Sequence, residues 1–400
     1  MTASVAFPPT RTAALERLAD FLPRAGQQYA ARRNYDLGPG RHAGVSTLSP
    51  YLRCRLITEA EVLQAVLARH SARAAEKFVQ EVFWRTYWKG WLELRPGIWA
   101  QYQQDLRQQI DELQTQSGLR TRWEAACTGQ TGFACFDFWA RELVETGYLH
   151  NHARMWFASI WIFTLELPWQ LGAEFFLRHL LDGDPASNTL GWRWVAGVQT
   201  IGKTYLARAD NIAKYTEGRF RPTGLASTAV PRAATPVPAP RGLPAQDPVD
   251  LGLRTGVLLH ADDLSPGFLL EQLSPVASAV VAPANGVSPL MPAPHVAAFR
   301  AQAAEDACAR WSGKLGVLSQ PLGDVAGVLD WARRENLQQI VTAYAPVGPV
   351  ADVVAQVQKH PEAPPLVRLQ RAFDAAAWPL ATKGFFPFKK HIPALISRLG

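Results

Sequence analysis

Apolar residues in the first two hundred positions recur every three or four residues, and nowhere before Arg221 do they alternate one by one. That period is helical. Ala14, Leu15, Leu18, Phe21 and Leu22 predict a helix within residues 10–33, with Pro23 bending or ending its first piece. Residues 35–44 form a loop rich in glycine. Thr58-Glu-Ala-Glu61 has the spacing of a capping box and opens a helix to about His70. Residues 72–94 predict a long helix with Glu81, Trp84, Arg85 and Trp88 on one face. Residues 99–116 predict a polar surface helix, and residues 123–138 a connector into the helix carrying Arg141. Residues 151–167 predict a helix on which Asn151, Arg154 and Met155 share a face. Trp169 starts another, directly after Pro168.

The helical pattern breaks at residues 181–194. Asp182 and Asp184 flank Gly183, Asn188 follows, and Trp192 and Trp194 close the stretch. This fits a helix–turn–helix corner with Asp184 as N-cap and the tryptophans as core. It also fits a polar turn holding a planar ligand between aromatic rings, although the stretch taken alone favours the corner. Ser46, Thr47 and Ser49 precede a helical stretch and read as a solvated turn or as a cradle for a pyrophosphate. Arg85 suits a phosphate or a carboxylate. Trp84 suits base stacking or core packing, and Trp88 core packing.

Beyond residue 220 the pattern changes twice. Pro222, Pro231, Pro236, Pro238, Pro240, Pro244 and Pro248 mark an extended linker over residues 223–250. Short apolar, β-prone runs then stand at 256–260, 277–282, 315–318, 339–343 and 366–369, with helical stretches at 297–311 and 324–335 between them. Strand and helix in alternation predict a doubly wound parallel sheet over residues 251–400, following an all-α domain over residues 1–222. No GxGxxG supports a dinucleotide site there.

Composition adds limits. The apolar fraction of 48% is ample for buried cores, and most of the 14 tryptophans fall in the helical half. The net charge of +7 favours a polyanionic partner. Cys54, Cys127, Cys135 and Cys308 lack CxxC spacing, so reduced thiols and no metal are expected. Residues 1–14 have no apolar leader core and no apolar run reaches membrane-spanning length. A cytoplasmic protein with no membrane and no obligate protein partner is expected.

Four stretches carry a resemblance. They are Ser46-Thr-Leu-Ser-Pro-Tyr-Leu52, Glu81-Val-Phe-Trp-Arg85, the run from Thr146 through Tyr148, His150 and Arg154 to Ser159, and residues 181–194. In this order they resemble the flavin-binding domain of the DNA photolyase/cryptochrome family. The resemblance implies FAD as cofactor, held by Tyr35, Ser46, Thr47, Leu48, Ser49, Arg85, Asn151, Arg154, Asp182, Gly183, Asp184 and Asn188. Arg154 would pair with Asp182 beside the isoalloxazine, and Asn188 would face flavin N5. Trp192 and Trp169 match the first two members of the family's electron-carrying tryptophan chain, whose third position falls near Gln116. Glu81, Trp84, Met155 and Trp194 match residues that receive a cyclobutane pyrimidine dimer, with Arg41 and His152 toward the DNA. The implied activity is light-driven splitting of such dimers by an electron from reduced flavin, with Asn188, Glu81, Trp192 and Trp169 as catalytic residues. A flavin photoreceptor or redox protein without repair activity is the alternative.

The chain departs from the family pattern at several places. Val45 stands where a threonine opens the hydroxyl run, His152 replaces a phosphate-contacting arginine, and Leu190 replaces a glycine. The Arg-x-Phe-Asn-Pro run is missing. Asn151 and Met155 stand where the (6-4) enzymes carry histidines. His260-Ala-Asp-Asp-Leu264 and Lys383-Gly-Phe-Phe-Pro-Phe-Lys389 resemble parts of the family's antenna domain, here following the flavin domain as in a circular permutation. An unrelated α/β module is the other reading. No antenna chromophore is assigned.

Overall fold

The computed structural model describes residues 7–233, 235–245, 247–283 and 288–399. Its first half is helical. It comprises α1 (Arg11–Phe21), α2 (Gln27–Arg32), α3 (Ser49–Arg53), α4 (Glu59–Arg69), α5 (Glu76–Glu93) and α6 (Gly97–Thr115). After these come α7 (Ser117–Thr128), α8 (Ala134–Thr146), α9 (Asn151–Ser159), α10 (Trp169–His179), α11 (Pro185–Val195) and α12 (Ala209–Tyr215). Local chemistry sets several of these bounds. Leu22-Pro-Arg24 tightens to a 3-10 turn at the expected proline. The Thr58 side chain accepts from the Glu61 amide while the Glu61 carboxylate accepts from the Thr58 amide, completing the capping box. Residues 123–138 are not a connector. They hold the end of α7 and the start of α8, separated by Gly129 in the left-handed region (φ 65°). α9 ends in a π-helical turn, Ile160–Thr164. The supposed surface helix α6 is one-sided, burying Trp99, Tyr102, Leu106 and Leu113.

The second half comprises β1 (Thr255–His260), α13 (Gly267–Leu270), β2 (Ala277–Val281), α14 (Pro294–Trp311) and β3 (Val317–Leu318). It continues with α15 (Val325–Arg334), β4 (Gln339–Ala343), α16 (Pro349–Lys359) and β5 (Leu366–Leu369). Three short helices follow: α17 (Ala372–Ala377), α18 (Phe385–Lys389) and α19 (Ile392–Ile396). The strand order is β3-β2-β1-β4-β5, and every pair is parallel. β1, β2 and β4 are buried along their whole length, as continuous apolar strands of a doubly wound sheet should be. The chain is an all-α domain followed by a doubly wound α/β domain.

The two halves share one apolar core. Gly90 makes one contact possible. A Cβ there would lie 2.7 Å from the Trp378 Cα, so only glycine lets the C-terminal helices approach α5 this closely. Phe373 and Phe388 then pack on Phe83, at 5.7 and 6.3 Å between ring centroids. The proline-rich connection runs along the helical half. The Arg241 amide donates to the Leu94 carbonyl at 2.9 Å, and Arg95 Nε donates to the Pro238 carbonyl at 3.0 Å.

Glu93, in the last turn of α5, joins the halves with a titratable group. It is 1% exposed and accepts from Tyr344 Oη at 2.8 Å and from the Val347 amide. Burial pushes its carboxyl up to about 7, from 4.5. The folded protein therefore keeps a proton that the unfolded chain releases. That stability is complete below about pH 4.5 and is lost as pH rises through about 7. Glu93→Gln carries no charge at any pH. It is expected to flatten the unfolding free energy across this window and to raise it at pH 8. A variant that keeps the wild-type slope in denaturant titrations would exclude Glu93 as its source.

Candidate functional site

A cavity of about 590 Å³ opens in the helical half, between α5, α9, α11 and the segment leading into α3. Protein interiors pack too densely to hold a void of this size by accident, and it falls within the range of ligand sites. Its floor is the α10–α11 turn. The Asp184 Oδ1 accepts from the amides of Ala186 and Ser187 at 3.0 and 2.9 Å, capping α11. Its Oδ2 accepts from Arg85 at 2.7 Å. Asp182 takes Arg154 as a two-pronged pair, at 3.0 and 2.9 Å. Burial alone would raise both carboxyls. Arg154 for Asp182, and Arg85, Lys89 and Arg53 for Asp184, overcome it and hold both below the ordinary range.

Ser46, Thr47, Leu48 and Ser49 also line the cavity. Thr47 has a φ of 51°, unusual for a β-branched residue. It is held there by Arg17, which donates to its hydroxyl at 2.7 Å, and by donating itself to the Ser46 carbonyl at 2.7 Å. Asn188 donates from Nδ2 to the Ala173 carbonyl at 2.8 Å and also lines the cavity. Gly183, Asn151 and Trp192 complete the predicted set on this lining. Tyr35 stands outside it. Its neighbour Asp36 is tied to Trp139 Nε1 at 2.9 Å and to Arg219 at 2.8 Å, and the Tyr35 ring meets Tyr215 edge-on. The wall thus offers two ionised aspartates with their guanidinium partners, a run of hydroxyls, and an indole. That donor set fits a large anionic, planar cofactor of the flavin dinucleotide kind.

Glu81, Trp84, His152, Met155 and Trp194 also line the cavity. Trp84 and Trp194 are half-buried, with Trp194 stacked on Tyr205 at 5.5 Å. Trp88, read as core, is half-buried on the lining instead. His152 is turned onto Trp156, 4.2 Å between centroids, with Nδ1 3.0 Å from the Asn34 carbonyl. Burial holds its imidazole below the ordinary range, so it is neutral at neutral pH. Arg41 is exposed and lies outside the lining. Leu190 is fully buried and is also not part of the lining, so the bulk at that position goes into the core. Trp169 lies behind the wall, stacked on Tyr102 at 5.6 Å, which in turn meets Trp99 at 5.3 Å.

Sequence reasoning missed three residues. Arg33 lines the cavity and pairs with Glu81, forty-eight positions away, and Tyr29 lines it nearby. Arg53 is buried, donates from Nε to the Gly183 carbonyl at 2.8 Å, and pairs through Nη1 with Asp262 after β1. Its place directly after the Ser-Pro-Tyr-Leu run was the one available signal.

Residues 78–223 match the model of the FAD binding domain of DNA photolyase. The chain is 34% identical over 195 residues to a deoxyribodipyrimidine photo-lyase of Synechococcus sp., covering 47% of this chain and 39% of that one. To the enzyme of that name from Streptomyces griseus it is 32% identical over 224 residues, covering 50% and 47%. It therefore spans less than half the length of these relatives. Among solved structures, a bacterial class III photolyase from Agrobacterium tumefaciens matches at 28% identity and a TM-score of 0.43, covering 52% of this chain and 43% of that one.

Proposed function

We propose that the chain, whose residues 78–223 match the FAD binding domain of DNA photolyase, is a member of the DNA photolyase/cryptochrome family and a light-driven repair enzyme for cyclobutane pyrimidine dimers in DNA. One observation carries the reading. One cavity lining combines the Asp182–Arg154 and Asp184–Arg85 pairs and the Ser46–Ser49 hydroxyls with Trp84, Met155 and Trp194. The first group suits the cofactor, and the second suits an extruded base pair beside it. When bound, reduced FAD would supply light-driven one-electron chemistry to a dimer in this cavity.

The chain's own residues do the rest. Asp182 and Asp184 stay ionised and orient the ring and adenine portions by charge-assisted hydrogen bonds. Arg85 and the hydroxyl run hold the pyrophosphate region. Asn188, fixed by its bond to Ala173, faces the cavity with an uncharged amide. Glu81, held by Arg33, stands ready to accept from the dimer's N–H groups. Trp84 and Trp194 provide aromatic surfaces for the extruded bases. The neutral, stacked His152 offers no cation for a phosphate, and this favours a second reading, a flavin photoreceptor without repair. The family's second chromophore stays unassigned.

The first test is reconstitution with FAD followed by illumination with a reductant. A protein that stays colourless would overturn the proposal. Trp192→Phe should then slow flavin photoreduction, because phenylalanine is much harder to oxidise than the indole on the cavity wall. Trp169→Phe should slow it too if electrons pass by way of Tyr102 and Trp99. Unchanged rates in both variants would rule out this route.

A further inference from the structure

One lining residue of the cavity, Trp84, adjoins a surface that the proposed reaction does not use. Trp84 lies face to face on Phe385 of α18, 3.6 Å between centroids and 12° between planes. Three residues along α5, Tyr87 donates from its hydroxyl to the Lys383 carbonyl at 2.9 Å. These contacts pin residues 383–390 against the helix that forms the cavity wall. From this base Phe386 stands 78% exposed, with Lys383 and Lys390 exposed in the same segment. Lys389 pairs with Glu76 at 2.8 Å. Beyond Asp374 the sequence carries Lys383, Lys389, Lys390 and Arg398 and no carboxylate side chain.

A lone exposed phenylalanine is ordinary. This one stands between Lys383 and Lys390, for which no ion pair is found among the described residues, one residue from a ring stacked on the cavity wall. We propose that residues 383–390 form a DNA-docking surface beside the Trp84 wall of the cavity, contributed by the C-terminal part of the chain. Lys383 and Lys390 take backbone phosphates, and Phe386 lies against a nucleobase. The inference rests on DNA being the partner of the cavity. Charge complementarity selects a polyanion, and the exposed ring selects one that carries flat, stackable groups. Continuity with Trp84 would let one strand run from this surface to the cavity.

The test uses the full chain loaded with FAD and two probes, an undamaged duplex and a single-stranded oligothymidylate. The double variant Lys383→Ala/Lys390→Ala is expected to lower the salt dependence of duplex binding by about two in log–log slope, as two lost phosphate contacts require. Phe386→Ala is expected to keep the slope and to weaken oligothymidylate binding about 5- to 100-fold. FAD content and melting temperature should match wild type in both, since all three side chains are exposed. Unchanged slope and affinity would overturn the proposal. So would a wild type that binds neither probe, or one that binds phosphatidylserine vesicles and no DNA. The repair reading fails on a different result: wild type binds both probes as expected, shows no preference for dimer-containing DNA, and restores no thymine under light.

Discussion

Asp262→Ala is expected to destabilise the protein by about 3–5 kcal/mol and to loosen its hold on FAD. Asp262 is buried just after β1 and faces three cations. Arg53 pairs with it, and Lys89 and Arg300 lie within its field. Burial pushes the Lys89 ammonium down and the Arg300 guanidinium down to about 10, so this region already strains to keep its positive charge. Removing the carboxylate leaves Arg53 charged and buried with one partner fewer. The bond it keeps is to the Gly183 carbonyl, between the two aspartates of the cavity floor. A displaced Arg53 therefore carries the damage into the cofactor site. The double variant Arg53→Met/Asp262→Leu separates the two effects. Swapping both charges for apolar groups should recover much of the stability. It cannot restore the bond to Gly183, so FAD release should remain fast. A loss under about 1 kcal/mol for Asp262→Ala in denaturant titrations would mean that water already compensates the pair.

The same contact explains what could and could not be seen in the sequence. Short-range chemistry was legible. The Thr58–Glu61 box and the Asp184 cap each depend on residues within three positions, and the strands at 339–343 and 366–369 are where the apolar runs stand. Asp184 caps α11 with one oxygen, as the corner reading expects, and takes Arg85 with the other. Arg53 and Arg55 could not be read this way. Arg55 is buried at a φ of 52° and pairs with Glu59, Asp263 and Asp374, the last of them 319 positions away. No periodicity encodes such partners. Nor does the pattern around Lys383 announce that Phe385 will cover Trp84. The α7–α8 corner was missed because Gly129 and Gly132 break the helical spacing of its apolar residues. The motif stretches found the cavity because four of them converge on it. Tyr35 and Trp169 show the limit of that method, since neither reaches the lining.

Trp84→Ala is expected to cost about 5- to 150-fold in affinity for dimer-containing DNA, with flavin still bound. The range follows from stacking worth roughly 1–3 kcal/mol per base. One face of the indole is covered by Phe385, while the residue also lines the cavity. Truncation therefore removes both a base platform and an internal stack, and the melting temperature will fall as well. Phe385→Ala resolves the ambiguity. It removes the same stack and leaves the indole in place, so it should lower the melting temperature and largely spare dimer binding. Undamaged duplex should bind almost equally to wild type and Trp84→Ala, because phosphate contacts dominate there. If Trp84 were packing alone, the two variants would behave alike, losing stability with no selective loss for damaged DNA. Trp194→Ala offers a second reading of the same wall, since Trp194 stacks on Tyr205 and not on the C-terminal part. The decisive companion measurement is light-dependent recovery of thymine by wild type with fully reduced FAD. No recovery, together with no preference for damaged DNA, would eliminate repair and leave the photoreceptor reading. Leu190 would not be the reason, because its side chain is buried away from the cavity. The first suspect would be His152, a neutral ring held on Trp156 where the resemblance expects a cation for the DNA backbone.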